Sequence, residues 1–258
     1  MEIYQHFRKE EQPFIDQALS WKEQVEKVFV PKLTDFLDPR ELQILETIIG
    51  AQNEEVKLYA NGGGMHAERK RAIIAPFYEE VSAADYQLTL LQAEYPSKFV
   101  TLSHRDVMGA CMSLGLKRKK IGDMLVDNGI IQIVAADEVA PYILANLTEV
   151  KKAKVRLEEK PFTYLLEEEK EWEESDKTVS SLRLDAVLKE IYHISRKDAA
   201  EFISRQQVKV NFRVVDDSKF ILQEGDLLSL RGKGRSKLAA VNGRTKKDKW
   251  KITIAVLK

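Results

Sequence analysis

Apolar positions recur at helical spacing near the start of the chain. Phe14, Ile15, Ala18, Trp21, Val25 and Val28 follow at steps of one, three or four, which predicts a helix with one buried stripe. Asp38-Pro39 supplies a cap and a first-turn proline for a second helix carrying Leu42, Leu45, Ile48 and Ile49. The period then changes: Val56 to Ala60 alternates as a short strand and runs into Asn61-Gly62-Gly63-Gly64 and the basic cluster Arg69-Lys70-Arg71. From 73 to 160 the pattern is more regular. Tyr86 to Ala93 reads as a strand, and Arg105 to Leu114 as a helix with Val107, Met108, Cys111 and Leu114 on one face. Ile121 to Val126 and Ile130 to Ala135 are strands around the turn signal Asp127-Asn128-Gly129, Glu138 to Leu147 is a helix, and Lys152 to Glu158 a last strand. The order β-α-β-β-α-β is that of the ferredoxin-like plait, an arrangement RNA-recognition modules often use.

The next stretch, Glu167 to Asp176, is almost continuously acidic and reads as a linker over 161–180. Beyond it Leu184, Val187, Leu188 and Ile191 share a helical face, and Ser195 with Asp198 caps a second helix that buries Ala199, Phe202 and Ile203. Val208 to Asn211 alternates as a strand, and Glu224-Gly225-Asp226 turns into Leu227 to Arg231. The expected class is α+β, in four parts: an N-terminal helical/αβ domain (1–72), an RRM-like α/β plait (73–160), the acidic linker (161–180) and a small helix-plus-sheet module (181–258).

Composition changes this picture mainly through charge. Of 258 residues 44% are hydrophobic and 32% charged, the signature of a folded globular chain. No run of 18 apolar residues occurs and the N-terminus lacks a basic-then-apolar signal, so a cytoplasmic protein without a membrane span is expected. The formal net charge is zero, yet residues 181–258 hold 18 Lys and Arg against nine acids, leaving 23 against 32 in the remainder. A basic module on an acidic body attracts phosphates. Cys111 is the single cysteine, and His6, His66, His104 and His193 stand far apart, so neither a disulfide framework nor a metal site is expected, and no cofactor.

Arg183-Leu184-Asp185 with Val187-Leu188, then Ser195-Arg196, Ala199 and Ile203, then Val208-Lys209-Val210-Asn211, then Gly225-Asp226 resembles the RNA-binding domain named after the fourth protein of the small ribosomal subunit, here the S-four domain. Gln206 and Phe212 stand where that family usually has glycine. Leu37-Asp38-Pro39-Arg40-Glu41, Gly62-Gly63-Gly64 to Arg71, His104 to Ala110, Gly115 to Asp123 and Val179 to Asp185, in that order, resemble the bacterial YlmH family across nearly the whole chain. That resemblance implies a cytoplasmic RNA-binding protein on the large ribosomal subunit, with ribosomal RNA and tRNA as partners, in quality control of stalled nascent chains. It also implies a gene setting that keeps a division-linked role open.

S-four domains are often joined to pseudouridine synthases, whose aspartate lies in Gly-Arg-Leu-Asp. Here Leu182 precedes Arg183-Leu184-Asp185, and Asp185 is expected to serve the helix start instead. His104-Arg105-Asp106 imitates a kinase loop without the rest of that site; Ser103 with Asp106 reads as a cap and Cys111 as a buried thiol. The chain is therefore expected to bind and not to catalyse, with an RNA-modifying enzyme as the alternative. The candidate RNA contacts are Arg183, Arg196, Lys197, Arg205, Lys209, Asn211, Arg213, Arg231, Lys233, Arg235 and Lys237. Lys117, Arg118, Lys119 and Lys120, with Arg69, Lys70 and Arg71, offer a second RNA surface or simply solvated basic turns; the three glycines read as a hairpin loop or an anion site.

Overall fold

Both early helices form, as α1 (Gln12–Val28) and α2 (Pro39–Ile49). Asp38 accepts from the amides of Arg40 and Glu41, and Glu41 accepts from the amide of Asp38, so the first turn of α2 leaves few orphan donors. The structure, a computed structural model, describes residues 7–50, 53–166 and 171–257, and divides into two units, 1–168 and 169–258.

In the first unit three strands, β1 (Lys32–Leu37), β2 (Val56–Asn61) and β3 (Lys70–Pro76), form an antiparallel sheet in the order β1-β3-β2. Leu37, Val56, Ala72 and Ile74 pack with Phe14, Ile15, Ile44, Leu45 and Ile48 of the two helices. Ile73 and Ala75, at the alternate positions of β3, pack with Tyr86. Because β3 crosses residues 72 and 73, the expected boundary there is corrected: a central strand cannot be divided, and the N-terminal domain runs on past Pro76.

The plait follows as β4 (Leu88–Glu94), α3 (His104–Ser113), β5 (Ile121–Asp127), β6 (Ile130–Ala136), α4 (Ala140–Asn146), a small hairpin β7 (Glu149–Val150) and β8 (Ala153–Lys154), and β9 (Glu158–Lys160). Its sheet is antiparallel throughout, in the order β5-β6-β4-β9, which is the ferredoxin-like arrangement. Asn128 and Gly129, with φ of 45° and 89°, close the β5–β6 turn as that dipeptide should. The last strand is β9 and not residues 152–158, because the chain first folds back on itself around Lys151. One sheet face, Leu91, Ala93, Ile131, Ile133 and Ala135, is covered by Val107, Cys111, Ala140 and Ile143. Burial pushes the Cys111 thiol up to about 11.

The opposite face is the one on which RNA-recognition modules stack bases. Here Leu90, Val134 and Ala136 pack with Phe36 of β1 and with Phe162 and Leu165. Gln132 donates to Gln92 and to the Tyr164 carbonyl and accepts from the Leu166 amide. Gly122 permits the contact: a Cβ there would stand 2.6 Å from the Phe36 ring. The protein covers this face with its own chain.

In the second unit β10 (Trp172–Val179) pairs along its length with β15 (Trp250–Leu257). This corrects the acidic linker over 172–179: on an edge strand acidic side chains stay in water while the backbone joins the sheet. Glu167 to Lys170 lie outside the described residues. Two helices follow, α5 (Leu184–Tyr192) and α6 (Arg196–Ser204), then β11 (Val208–Val210), β12 (Arg213–Val214), β13 (Leu227–Leu230) and β14 (Gly234–Arg244). The six strands run in the order β10-β15-β14-β13-β11-β12, every pair antiparallel. Leu184, Val187, Leu188, Ile191, Ala199 and Ile203 of the helices share one core with Val208, Val210, Leu228, Leu230, Leu238, Ile252 and Ile254.

Candidate nucleic-acid interface

Cross-strand register decides which cations of the second unit face outward. Val208, Val210, Leu228 and Leu230 are buried, so their neighbours Lys209 and Ser229 point away from the core. Lys209 stands opposite Ser229, and Ser229 opposite Arg235, which sets two basic side chains on one transverse row. Lys237, exposed and opposite Leu227, extends that face by a row. The turn from β13 to β14 presents exposed Arg231 and Lys233; Gly232 and Gly234 take φ of 82° and 91°, and the Arg231 amide is held by the Gln207 carbonyl. Arg213 is exposed on β12 opposite Val210.

The helical candidates form a separate group. Ser195 accepts from the Asp198 amide and Asp198 from the Ser195 amide, fixing the start of α6 with Lys197 exposed in its first turn. Arg183 and Arg196 converge on Asp185, with Nε to carboxylate oxygen distances of 3.2 and 2.9 Å. Asp185 is only 4% exposed. Its carboxylate anchors both guanidinium groups, whose remaining N–H edges are the part available to a phosphate. Arg205 lies 2.7 Å from Glu201, which offsets its charge.

Asn211 is corrected from contact to framework. It is buried, donates to Asp226 at 2.8 Å and accepts from the Leu227 amide at 3.0 Å, tying the β11–β12 turn to the Gly225-Asp226 turn.

The second basic surface is likewise mostly built into the first unit. Arg118 donates to the carbonyls of Ile121 and Gly122, and burial pulls its guanidinium down to about 10. Lys119 and Lys120 both pair with Asp35 of β1, and Lys120 also with Glu138. Among the described residues Lys117 alone of the four is exposed with no such anchoring role. Arg71, buried, donates to the carbonyls of Thr34, Tyr86 and Gln87 at 2.9 to 3.1 Å, and Arg69 donates to that of Phe36. Arg71 and Arg118 thus hold the fold, their desolvated guanidinium groups donating to backbone carbonyls. Lys70 lies in β3 opposite Leu37. The glycine loop packs too, since a Cβ on Gly63 would fall 2.3 Å from the Phe162 ring, and the Gly63 amide is taken by Asn61.

The sequence reading stopped its basic segment at Lys237 and missed the β14–β15 hairpin. Arg244, Lys246, Lys247, Lys249 and Lys251 are exposed there against Asp248. Thr245 organises the tip, accepting from the amides of Lys247 and Lys249, and the Arg244 guanidinium lies 4.3 Å from the Trp250 ring centroid. The signal was present as the densest run of lysines in the module.

Two short helices on a small twisted sheet with outward cations, in a chain that also carries a plait, define a protein assembled from domains of RNA-binding type. Family models match in the same order: "YlmH, N-terminal" over residues 10–79, "Putative RNA-binding domain in YlmH" over 82–164 and "S4 domain" over 182–228. The chain belongs to the YlmH family. It is 44% identical over 252 residues to the ribosome-associated protein quality control protein P2 of Bacillus subtilis (strain 168), covering 98% of this chain and 97% of that one. It is also similar to the solved structure of the cell division protein ylmH from Streptococcus pneumoniae, with a TM-score of 0.55 and 30% identity over 64% of this chain and 99% of that chain. Among the described residues no group of acidic, histidine or cysteine side chains is placed to hold a metal, and no helix is long and apolar enough to cross a membrane.

Proposed function

We propose that the protein is a cytoplasmic, non-enzymatic RNA binder that seats its S4 domain on ribosomal RNA of the large subunit, next to tRNA, during quality control of stalled nascent chains. The observation that carries this reading is the outward row of Lys209 and Arg235, flanked by Lys237 and by Arg231 and Lys233, on a domain whose opposite side is a closed core. The name of the Bacillus subtilis relative supports the ribosomal setting. If about five cations meet phosphates, log affinity against log salt should fall with a slope of roughly −3 to −5. Lys197→Glu, Lys209→Glu and Lys237→Glu combined should leave thermal unfolding near wild type, weaken RNA binding and abolish co-sedimentation with the large subunit. Retained co-sedimentation would overturn the reading.

The alternative is an RNA-modifying enzyme; in its pseudouridine-synthase-like form it would use Asp185, and that carboxylate is buried between two arginines. Mass spectrometry of RNA nucleosides after incubation with the protein decides between them, a binder leaving composition unchanged. The name of the Streptococcus pneumoniae protein favours a second reading, a division-linked role, tested by whether loss of the protein alters septum placement when the triple variant does not.

A further inference from the structure

Within this surface one backbone position is occupied by a side chain that local physics disfavours. Asn211 and Phe212 are the two central residues of the turn that closes on the Val210–Arg213 pair, with φ of 47° and 66°. Two-residue turns with both φ values positive strongly prefer Asn-Gly, because glycine has no Cβ to strain. Asn211 is accounted for by its bonds to Asp226 and Leu227 and by the tolerance of asparagine for this region. Phe212 has no such account. A bulky residue at positive φ is an outlier, and among the described residues the Phe212 ring is not part of the core cluster that fills the second unit. It is half-buried, follows exposed Lys209 closely in sequence, precedes Arg213, and has the Arg235 guanidinium 5.8 Å from its ring centroid.

Strained positions that persist without a packing reason concentrate at functional sites. We infer that Phe212 and Arg235 form a nucleobase-stacking subsite, in which an unpaired RNA base lies on the exposed part of the Phe212 ring while Lys209, Arg213 and Arg235 hold the phosphates beside it. An aromatic ring stacks any base, and a planar guanidinium extends the platform. The plait cannot supply such a platform from its sheet face, which Phe36, Phe162 and Leu165 cover. The inference rests on the RNA-binding reading above and assigns it a ligand class: RNA with unpaired bases next to a stem, as opposed to uninterrupted duplex.

The test uses the full chain and two RNAs that share one stem of about 12 base pairs, long enough to cross the domain. One is closed by a loop carrying 2-aminopurine; the other is a blunt duplex. Phe212→Gly and Phe212→Asn should melt at or above wild type, bind the looped RNA roughly tenfold more weakly and lose the 2-aminopurine quench, with duplex affinity unchanged. Phe212→Trp should keep looped affinity and quench. Looped affinity unchanged in the glycine variant overturns the subsite, as does a lowered melting temperature, which would make the ring a structural prop. Wild-type protein that binds neither RNA overturns the subsite together with the RNA-binding reading; wild type and glycine variant that bind both RNAs alike overturn the subsite alone.

Discussion

A carboxylate taken out of water needs donors, and Asp185 has two arginines on its oxygens. Asp185→Ala should therefore lower stability by about 1 to 2 kcal/mol in chemical denaturation, since the charge-assisted hydrogen bonds are lost while the partly exposed guanidinium groups regain water. Arg196, read from sequence as an RNA contact, will show mixed behaviour on substitution: lost binding and lost stability together. Lys197, one position on, should lose binding alone. Sequence could not separate them, because the spacing of Asp185 and Arg196 says nothing about their meeting across two helices. Gln206 illustrates the opposite case. The Gln206 and Gln207 amides bond the carbonyls of Ile203 and Phe202, which is the hydrogen-bond pattern of a Schellman motif ending α6, and Gln206 occupies its left-handed position with φ of 56°. The departure from the family's glycine was visible in the sequence, and its strain follows from the geometry. Gln206→Gly should raise stability by about 1 kcal/mol without changing RNA affinity, checked by thermal melts and a binding titration.

At the scale of elements, periodicity revealed the helices, and turn signals revealed strands that periodicity could not. α1, α2, α5 and α6 show a clear helical period in their apolar residues, whereas β6, buried on both faces, was legible because the Asn128-Gly129 turn bounds its apolar run. In β3 Arg71 through Pro76 are all buried, so alternation vanishes, and β10 is so acidic that its backbone pairing left no trace in hydropathy. The clamp between β1 and the Lys117–Lys120 turn was equally hidden, because Asp35 lies far from both lysines in sequence. Burial would raise the Asp35 carboxyl, but Lys119 and Lys120 outweigh it and hold the group below its usual range. A depressed carboxylate contributes stability that is complete above its unfolded pKa of about 4 and is lost as pH falls through the lower folded value. Replacing Lys119 and Lys120 with methionine should thus lower the melting temperature more at pH 7 than in acid, the difference between variant and wild type shrinking as pH falls below about 4. Changing all of Lys117 to Lys120 to serine should weaken the first unit's fold, where the sequence alone suggested a loss of RNA affinity. Leu188→Ala and Ile203→Ala in the second unit should each cost about 2 to 5 kcal/mol, reducing binding only through unfolding.

Over the whole molecule, the charge imbalance read from the sequence follows the division into two units only in part, because acidic β10 belongs to the second unit, and Arg71, Arg118, Lys119 and Lys120 turn out to be structural. The feature with the widest reach is the covering of the plait by β1. Phe36 and Ile73 are made early, yet their cover, Leu90, Val134, Phe162 and Leu165 for the one and Tyr86 for the other, is made later. Chains emerge from the ribosome N-terminus first, so the opening three-stranded sheet leaves with one apolar face bare until residue 165 has been added. During that interval it is a substrate for proteases and chaperones in the way the finished protein is not. A chain ending at residue 80 should be cleaved rapidly within β1 or β3 in limited proteolysis, whereas one ending at residue 168 should resist, which makes completion of the plait the step at which the N-terminal half acquires a lifetime of its own.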